Sequence, residues 1–209
     1  MNRVVVLVDG FNLYYSIREA ASQTGASLKW LDLRGFCASF LDPIGGGATL
    51  ERVVYFSAYE THKSRAKVQR HKTYVEALKA TGIETQMARF KWKERWCKAC
   101  NTLQPGYEEK ETDVALAVRL MELFALNECE TVVLVTGDTD LLPAIRTSHR
   151  LYPDKQVWVA PPYKRWNTQL AEVADNSIKI KRKKYFAHQL PNPVICSSDA
   201  TEIWKPAKW

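Results

Sequence analysis

The chain has 209 residues, of which 46% are hydrophobic and 25% charged, a composition typical of one main domain with a full hydrophobic core. Its longest apolar stretches, such as Thr131 to Val135, are far shorter than the roughly 20 residues of a membrane-spanning helix. The N-terminal apolar run also lacks a cleavage site, so a secreted or membrane protein is not expected. The five cysteines include only one close pair, which argues against a disulfide framework and predicts a cytoplasmic location.

The basic character of the chain favours a polyanionic partner. The net charge is +7 and the sequence pI is about 9.1, and cations that neutralise phosphates release condensed counterions. The charge is concentrated between His62 and Lys98, where basic residues far outnumber acidic ones. Lys63 and Arg65 in this stretch are candidate contacts to a nucleic acid.

The first half of the chain alternates between predicted strands and helices. Val4 to Val8 reads as a buried strand that leads into a helix from Phe11 to Ala21, followed by a helix from about Leu31 to Leu41 that stops before Pro43. After a glycine loop at 45–47, the pattern predicts a strand at 52–57, a basic helix at 64–80 and a strand at 83–90. An irregular insertion is expected at about 91–110.

The second half continues the alternation. The pattern predicts a helix at 112–126, strands at 131–136 and 157–160, helices after each of them, and a last strand at 177–180. Such alternation is typical of an α/β fold with a doubly wound, mainly parallel central sheet flanked by helices. We expect one domain over residues 1–180, followed by a basic and then proline-containing tail at 181–209.

Aspartates follow the predicted central strands. Asp9 comes directly after the first strand, Asp138 and Asp140 follow the strand at 131–136, and Asp113 opens the helix before that strand. In doubly wound sheets the carboxyl ends of the strands form the ligand-binding edge, so these side chains are expected to converge. Each aspartate taken alone is also explained as a turn or helix-cap residue.

Converging carboxylates repel each other and need a positive partner. Oxygen ligands suit Mg²⁺ or Mn²⁺, and such an ion activates water and stabilises charge on a phosphodiester. Neither a phosphate-binding G-x-x-x-x-G-K-[ST] loop nor a G-x-G-x-x-G turn is present in the sequence. The set of aspartates therefore predicts a metal site that hydrolyses phosphodiesters.

Three segments carry a resemblance to a known family. VVVLVDGFNLYYSI, EEKETDVALAVRL and VVLVTGDTDLLPAIR resemble, in order, the three motifs of the NYN domain family of PIN-like nucleases, most closely its LabA-like bacterial branch. The resemblance implies a metal-dependent ribonuclease in which Asp9, Asp113 and Asp138 hold the metal and Asp140 supports them. It also implies that Asn12 holds a substrate phosphate or a water near the metal. Thr136, which replaces a serine of many relatives, is a further candidate substrate contact.

The predicted insertion contains two further candidate sites. Cys97 and Cys100 form a C-x-x-C pair, which is half of a structural zinc site; other ligands or a second subunit would complete it, and two free thiols are the alternative. Arg95 and Trp96 belong to a stretch in which aromatic and basic residues alternate. This pattern suits base stacking on single-stranded nucleic acid, or packing of the rings on the body.

Three functions are compatible with these features. The leading hypothesis is a Mg²⁺- or Mn²⁺-dependent ribonuclease that acts on single-stranded or structured RNA. The alternatives are a non-catalytic nucleic-acid-binding regulatory module and a small-molecule phosphohydrolase with the same metals. The sequence leaves open whether the chain forms a homo-oligomer.

Overall fold

The computed structural model describes residues 1–209, except for the side chains of Arg95 and Pro105. The strands are β1 (Asn2–Asp9), β2 (Ala48–Ala58), β3 (Glu84–Cys97), β4 (Thr102–Lys110), β5 (Thr131–Val135), β6 (Gln156–Val159), β7 (Asn176–Ser177), β8 (Val194–Ile195) and β9 (Glu202–Ile203). The helices are α1 (Gly10–Ser22), α2 (Leu33–Ala38), α3 (Leu41–Ile44), α4 (Arg65–Ala80), α5 (Thr112–Ala125), α6 (Leu142–Leu151), α7 (Thr168–Val173) and α8 (Lys183–Ala187). Within this described part of the chain, none of the helices combines the length and apolarity needed to cross a membrane.

Seven strands form one central sheet in the order β4-β3-β2-β1-β5-β6-β7. All neighbouring pairs in this sheet are parallel except β3 with β4, which is antiparallel. Helices cover both faces, and the predicted doubly wound, mainly parallel α/β fold is confirmed. The sequence order of the strands reverses at β1, which has β2 on one side and β5 on the other.

The central strand β1 is apolar along its length because both of its faces are buried. Val4, Val6 and Val8 point into the core on the side of α1, α2 and α4. Val5 and Leu7 point into the second core, on the side of α5, α6 and α7. The hydrophobic run at the N-terminus is therefore a sheet-centre strand between two helical layers.

The register of β1 determines where the chain emerges at the carboxyl edge of the sheet. Val8 is paired with Val135 of β5, and Asp9 is paired with Phe56 of β2. The residues that directly follow β1 and β5 therefore leave the sheet side by side. This edge is where the sequence places its aspartates.

The insertion expected to be irregular is instead a regular hairpin. Arg89 to Cys97 of β3 pair with Thr102 to Lys110 of β4, beyond the point where β3 leaves β2. Aromatic and charged residues alternate at period two before Cys97, which is a strand pattern, but the segment lacks the apolar side chains of a buried strand.

Two other regions differ from the expectation. The single helix predicted near residues 31–41 is divided into α2 and α3, and Pro43 lies inside the short α3, near the helix start where a missing N–H is tolerated. The C-terminal segment packs on the body: Tyr185 and Val194 are buried in the same core as β1. The domain boundary at residue 180 stays a prediction.

Candidate active site

Asp9 is held at the junction of β1 and α1. Its carboxylate caps the helix: Oδ1 accepts the backbone N–H of Asn12 over 2.9 Å, while Oδ2 accepts the hydroxyl of Thr136 over 3.0 Å. The residue is only 6% exposed. Asp9 is therefore both a helix cap, as the plain interpretation of the sequence held, and an oriented carboxylate at the ligand-binding edge.

Thr136 and Asn12 join the chain after β5 to the chain after β1. The hydroxyl of Thr136 donates to Asp9 and accepts the backbone N–H of Asp138 over 3.1 Å, and Asn12 Oδ1 accepts the N–H of Gly137 over 3.2 Å. Thr136 is 1% exposed, and the substrate contact expected for it stays a prediction. Both side chains position the loop that carries Asp138.

Asp138 and Asp140 lie in the short turn between β5 and α6. Asp138 Oδ1 accepts the backbone N–H of Asp140 over 3.1 Å and caps the 3₁₀ turn Thr139–Leu141. Asp140 is exposed at the outer rim. Asp113 approaches from another direction, in the first turn of α5. Three segments of the chain therefore bring carboxylates to this edge.

Glu109, near the end of β4, is a fifth member of the cluster that sequence reasoning missed. The hydroxyl of Thr112 donates to its Oε1, and it lies within electrostatic range of Asp9 and Asp113. Glu109 reaches the site because the hairpin folds back onto the start of α1: Phe90, paired with Glu109, packs edge-on against Phe11 with ring centroids 5.7 Å apart. The position of Glu109 beside the cluster is therefore determined by the register of the hairpin, which pairs Glu109 with Phe90.

The pKa values of Glu109, Asp113 and Asp9 are raised by burial and by the neighbouring carboxylates. Burial, followed by the charges of Asp9 and Asp113, raises the pKa of Glu109 to about 7. Partial burial and the charges of Asp138, Asp9 and Asp140 raise the pKa of Asp113 to about 6. The pKa of Asp9 is raised by burial, with Asp138 adding to the shift. In the absence of a counter-charge, the cluster therefore favours the uptake of protons.

The five carboxylates are candidate ligands for a divalent metal. Within the described residues, none of the five carboxylates forms an ion pair with a lysine, arginine or histidine. Their all-oxygen chemistry matches Mg²⁺ or Mn²⁺. Over the same part of the chain, however, no group of three or more acidic, histidine or cysteine side chains is already arranged as a metal site. The donor set fits a metal, whereas a closed ligand arrangement is not preformed.

The other predicted site residues are more dispersed. Trp96 is exposed on the hairpin, six residues along β3 from Phe90 and hence on the order of 20 Å from the carboxylates. Lys63 and Arg65 are exposed at the start of α4, whereas the predicted contact of Arg95 falls on a side chain outside the described residues. The structure does not bring Trp96 into the cluster.

The two thiols of the C-x-x-C pair meet at the tip of the hairpin. Cys100 Sγ lies 3.0 Å from the hydroxyl of Thr102, and this contact together with Cys97 lowers the pKa of Cys100 to about 7. Among the described residues, no third acidic, histidine or cysteine side chain joins the pair. Zinc binding by this half-site stays a prediction.

The doubly wound sheet with carboxylates at its topological switch point defines a PIN-like α/β protein. Comparison with protein families makes the assignment specific: the NYN domain matches residues 3–181. The chain belongs to the NYN domain family, which is part of the PIN-like nuclease superfamily. Its position in the LabA-like branch stays a prediction.

One solved structure is similar in fold. A protein of unknown function from Vibrio parahaemolyticus superposes with a TM-score of 0.58 at 19% identity, over 86% of this chain and 93% of that one. MurG from Acinetobacter baumannii gives a TM-score of 0.35 at 11% identity over 85% of this chain and 41% of its own, too low for any inference. A search of curated proteins gave no match.

Proposed function

We propose that this protein is a ribonuclease that uses Mg²⁺ or Mn²⁺ to hydrolyse RNA phosphodiester bonds at the carboxylate cluster. One observation carries the proposal: five carboxylates from four segments share one edge of the sheet and have no cationic partner among the described side chains, and the pKa values of Asp9, Asp113 and Glu109 are raised there. Such an arrangement costs stability and is typical of a site whose counter-charge comes from a ligand. Membership of the NYN family supports the same reaction.

In this proposal Asp9, Asp113 and Asp138 hold the metal, with Asp140 and Glu109 at the rim. When bound, the metal lowers the pKa of a coordinated water and neutralises charge on the phosphodiester. Thr136 holds Asp9 in one orientation through its hydroxyl and receives the N–H of Asp138. The protein thus fixes Asp9 and the Asp138 loop relative to each other before substrate binds, which reduces the reorganisation needed for reaction.

The proposed substrate is RNA with an accessible strand. The hairpin carries exposed aromatic side chains on one face, where Trp92 pairs with Tyr107 and Trp96 with Leu103. His62 stacks on Tyr107 with ring centroids 4.1 Å apart, and links this face to Phe90 beside the carboxylates. We propose that bases stack along this face. Lys63, Arg65 and Arg95 are proposed backbone contacts.

A second candidate function is a non-catalytic nucleic-acid-binding module. It is favoured by the finding that, among the described residues, no three candidate ligands are already arranged to hold a metal. In this alternative the acidic edge does no chemistry, and RNA binds to the hairpin and the basic residues. The two functions make opposite predictions about product formation.

The test is a cleavage assay with 5′-labelled single-stranded and hairpin RNA, in Mn²⁺, in Mg²⁺ and in EDTA. We expect metal-dependent products, and we expect Asp138→Asn to lower kcat/KM by at least about 100-fold, because the amide keeps the cap but loses the charge. Asp154→Asn is the matched control, since Asp154 is exposed in the turn after α6. Cleavage by Asp138→Asn at the wild-type rate would exclude the proposed site. Binding without any product would favour the second candidate.

A further inference from the structure

A cavity lies next to the carboxylate cluster, on the opposite side of the start of α1. It has a volume of about 120 Å³ and is enclosed by α1, the end of β2, α4 and Trp209. One water needs roughly 10–15 Å³ on this scale. The cavity therefore has room for about ten heavy atoms, the number in one nucleobase. Gly10 and Phe11, which directly follow Asp9, form part of its wall.

Several aromatic side chains line this cavity. Tyr14 lies on one side, and Tyr55, Tyr74 and Trp209 on others, with Tyr74 and Trp209 in contact at a centroid distance of 5.4 Å. Aromatic rings around a narrow cavity favour a flat ligand that stacks on them. Gly10 is required for this shape, because a Cβ at that position would lie 2.7 Å from a ring atom of Tyr55.

The cavity is lined by three basic residues, Lys29, Lys67 and Arg70, and by one acidic residue, Glu60. Lys29 and Arg70 line the rim, and among the described residues neither forms an ion pair; Lys67, also on the rim, is paired with Glu60. Burial and the neighbouring charges of Arg18, Arg70 and Lys67 lower the pKa of Lys29. Cations that face each other in this way are stabilised by a bound anion.

Polar atoms also reach the interior. Ser57 and His71 line the cavity, and Ser57 Oγ lies 3.5 Å from His71 Nε2. Burial lowers the pKa of His71 to about 4, so the ring is neutral near pH 7. A neutral imidazole and a hydroxyl supply one donor and one acceptor each, which suits the polar edge of a base.

We propose that this cavity binds one nucleotide, with its base among Tyr14, Tyr74 and Trp209 and its phosphate at Lys29 and Arg70. The bound nucleotide can belong to either of two molecules: a bound RNA strand, or a free nucleoside monophosphate. Only the first source rests on the proposed nuclease function. For such a strand, the cavity would hold a base close to the scissile bond, because Phe11 lies two residues from Asp9.

The binding test uses adenosine 5′-monophosphate and isothermal titration in EDTA, so that the carboxylate cluster cannot contribute through a metal. We expect saturable binding to the full-length protein, weakened about tenfold or more by Arg70→Ala and by Lys29→Gln. Lys72→Ala is the matched control, because Lys72 is exposed on the same helix and does not line the cavity. Asp138→Asn is expected to bind the nucleotide like wild type.

Two further measurements identify what the cavity recognises. Inorganic phosphate and adenosine, each alone, are expected to bind more weakly than the monophosphate, and Trp209→Ala is expected to weaken adenosine binding. Equal affinity for phosphate alone would overturn nucleotide recognition. Absence of monophosphate binding at millimolar concentration, or unchanged binding in both cation variants, would overturn the site itself.

The source of the nucleotide is resolved by photocrosslinking. A short RNA that contains 4-thiouridine is irradiated with the protein in EDTA, and the linked peptides are mapped by mass spectrometry. Crosslinks to the segments containing Tyr14 or Trp209 that adenosine monophosphate competes away assign the cavity to the RNA strand. Monophosphate binding without such crosslinks assigns it to a free nucleotide. Both results are independent of cleavage, so failure of the nuclease assay leaves them interpretable.

Discussion

The two sides of the start of α1 carry opposite unpaired charge. On one side Asp9, Asp113 and Glu109 share the edge of the sheet; on the other, Lys29 and Arg70 face an aromatic cavity. The two groups would neutralise each other if they met, but Gly10 and Phe11 lie between them. A fold that keeps both sets apart loses stability on both sides, and this is typical of surfaces that bind charged ligands. The proposed metal at the sheet edge and the proposed nucleotide in the cavity would each supply the missing counter-charge.

The largest expected effect on this comparison comes from the acidic side. Thr136→Val removes the hydroxyl that Asp9 accepts and that receives the N–H of Asp138. We expect kcat/KM for RNA to fall about 10- to 100-fold and the free energy of unfolding to fall by about 1–3 kcal/mol, because a buried carboxylate loses its donor. Monophosphate binding in the cavity is expected to stay unchanged. Thr136→Ser, which keeps the hydroxyl, is the control, and equal loss in both variants would contradict the role of this hydrogen bond.

Gly10→Ala tests the packing of the segment that lies between the carboxylate edge and the cavity. The added Cβ would lie 2.6 Å from the carbonyl oxygen of Phe56 and 2.7 Å from the ring of Tyr55. We expect urea denaturation to show a loss of about 1–3 kcal/mol, since backbone and ring must shift to relieve the overlap. An unchanged unfolding midpoint would show that this contact is not as tight as the structure indicates.

A smaller effect is expected on stability: the contributions of Glu109 and its neighbour Glu108 in β4 should depend differently on pH. The folded state raises the pKa of Glu109 from its ordinary 4.5 to about 7, so the stability contributed by its proton is present below pH 4.5 and lost as pH rises through 7. Glu109→Gln is therefore expected to raise the metal-free melting temperature at pH 8 and to change it little at pH 5.

Glu108 is the control for this experiment. Lys110 and Lys93 lower its pKa to about 2, so its contribution to stability is present at both pH values and Glu108→Gln is expected to be slightly destabilising at both. A pH-independent effect of Glu109→Gln would contradict the electrostatic coupling of Glu109 to the carboxylate cluster.

The sequence was sufficient to predict the parallel sheet and the positions of Asp9, Asp113, Asp138 and Asp140. Buried parallel strands are apolar and local, and the residue after each such strand lies at the same edge by geometry. Motif spacing therefore placed these four aspartates at one edge of the sheet. It gave no information on the burial of Thr136, because burial depends on packing between distant segments.

Glu109 and the cavity were not predictable in the same way. Glu109 reaches the site only through the antiparallel register of the hairpin, which pairs it with Phe90, and the alternation of aromatic and charged residues before Cys97 was the one available signal. The cavity is assembled from separate segments, including Lys29, Tyr55 and Trp209. Non-local packing of this kind leaves no periodic pattern in a single sequence.

The most direct test of the central claim is a titration of the metal-free protein with Mn²⁺, in which electron paramagnetic resonance measures the free ion. If the carboxylate edge holds the metal, Mn²⁺ binds saturably and Asp113→Asn weakens the binding at least about tenfold, while Asp154→Asn binds as wild type does. Binding of Mn²⁺ that is unaffected by Asp113→Asn and by Asp9→Asn, or no binding at millimolar concentration, would contradict a metal site at the carboxylate edge.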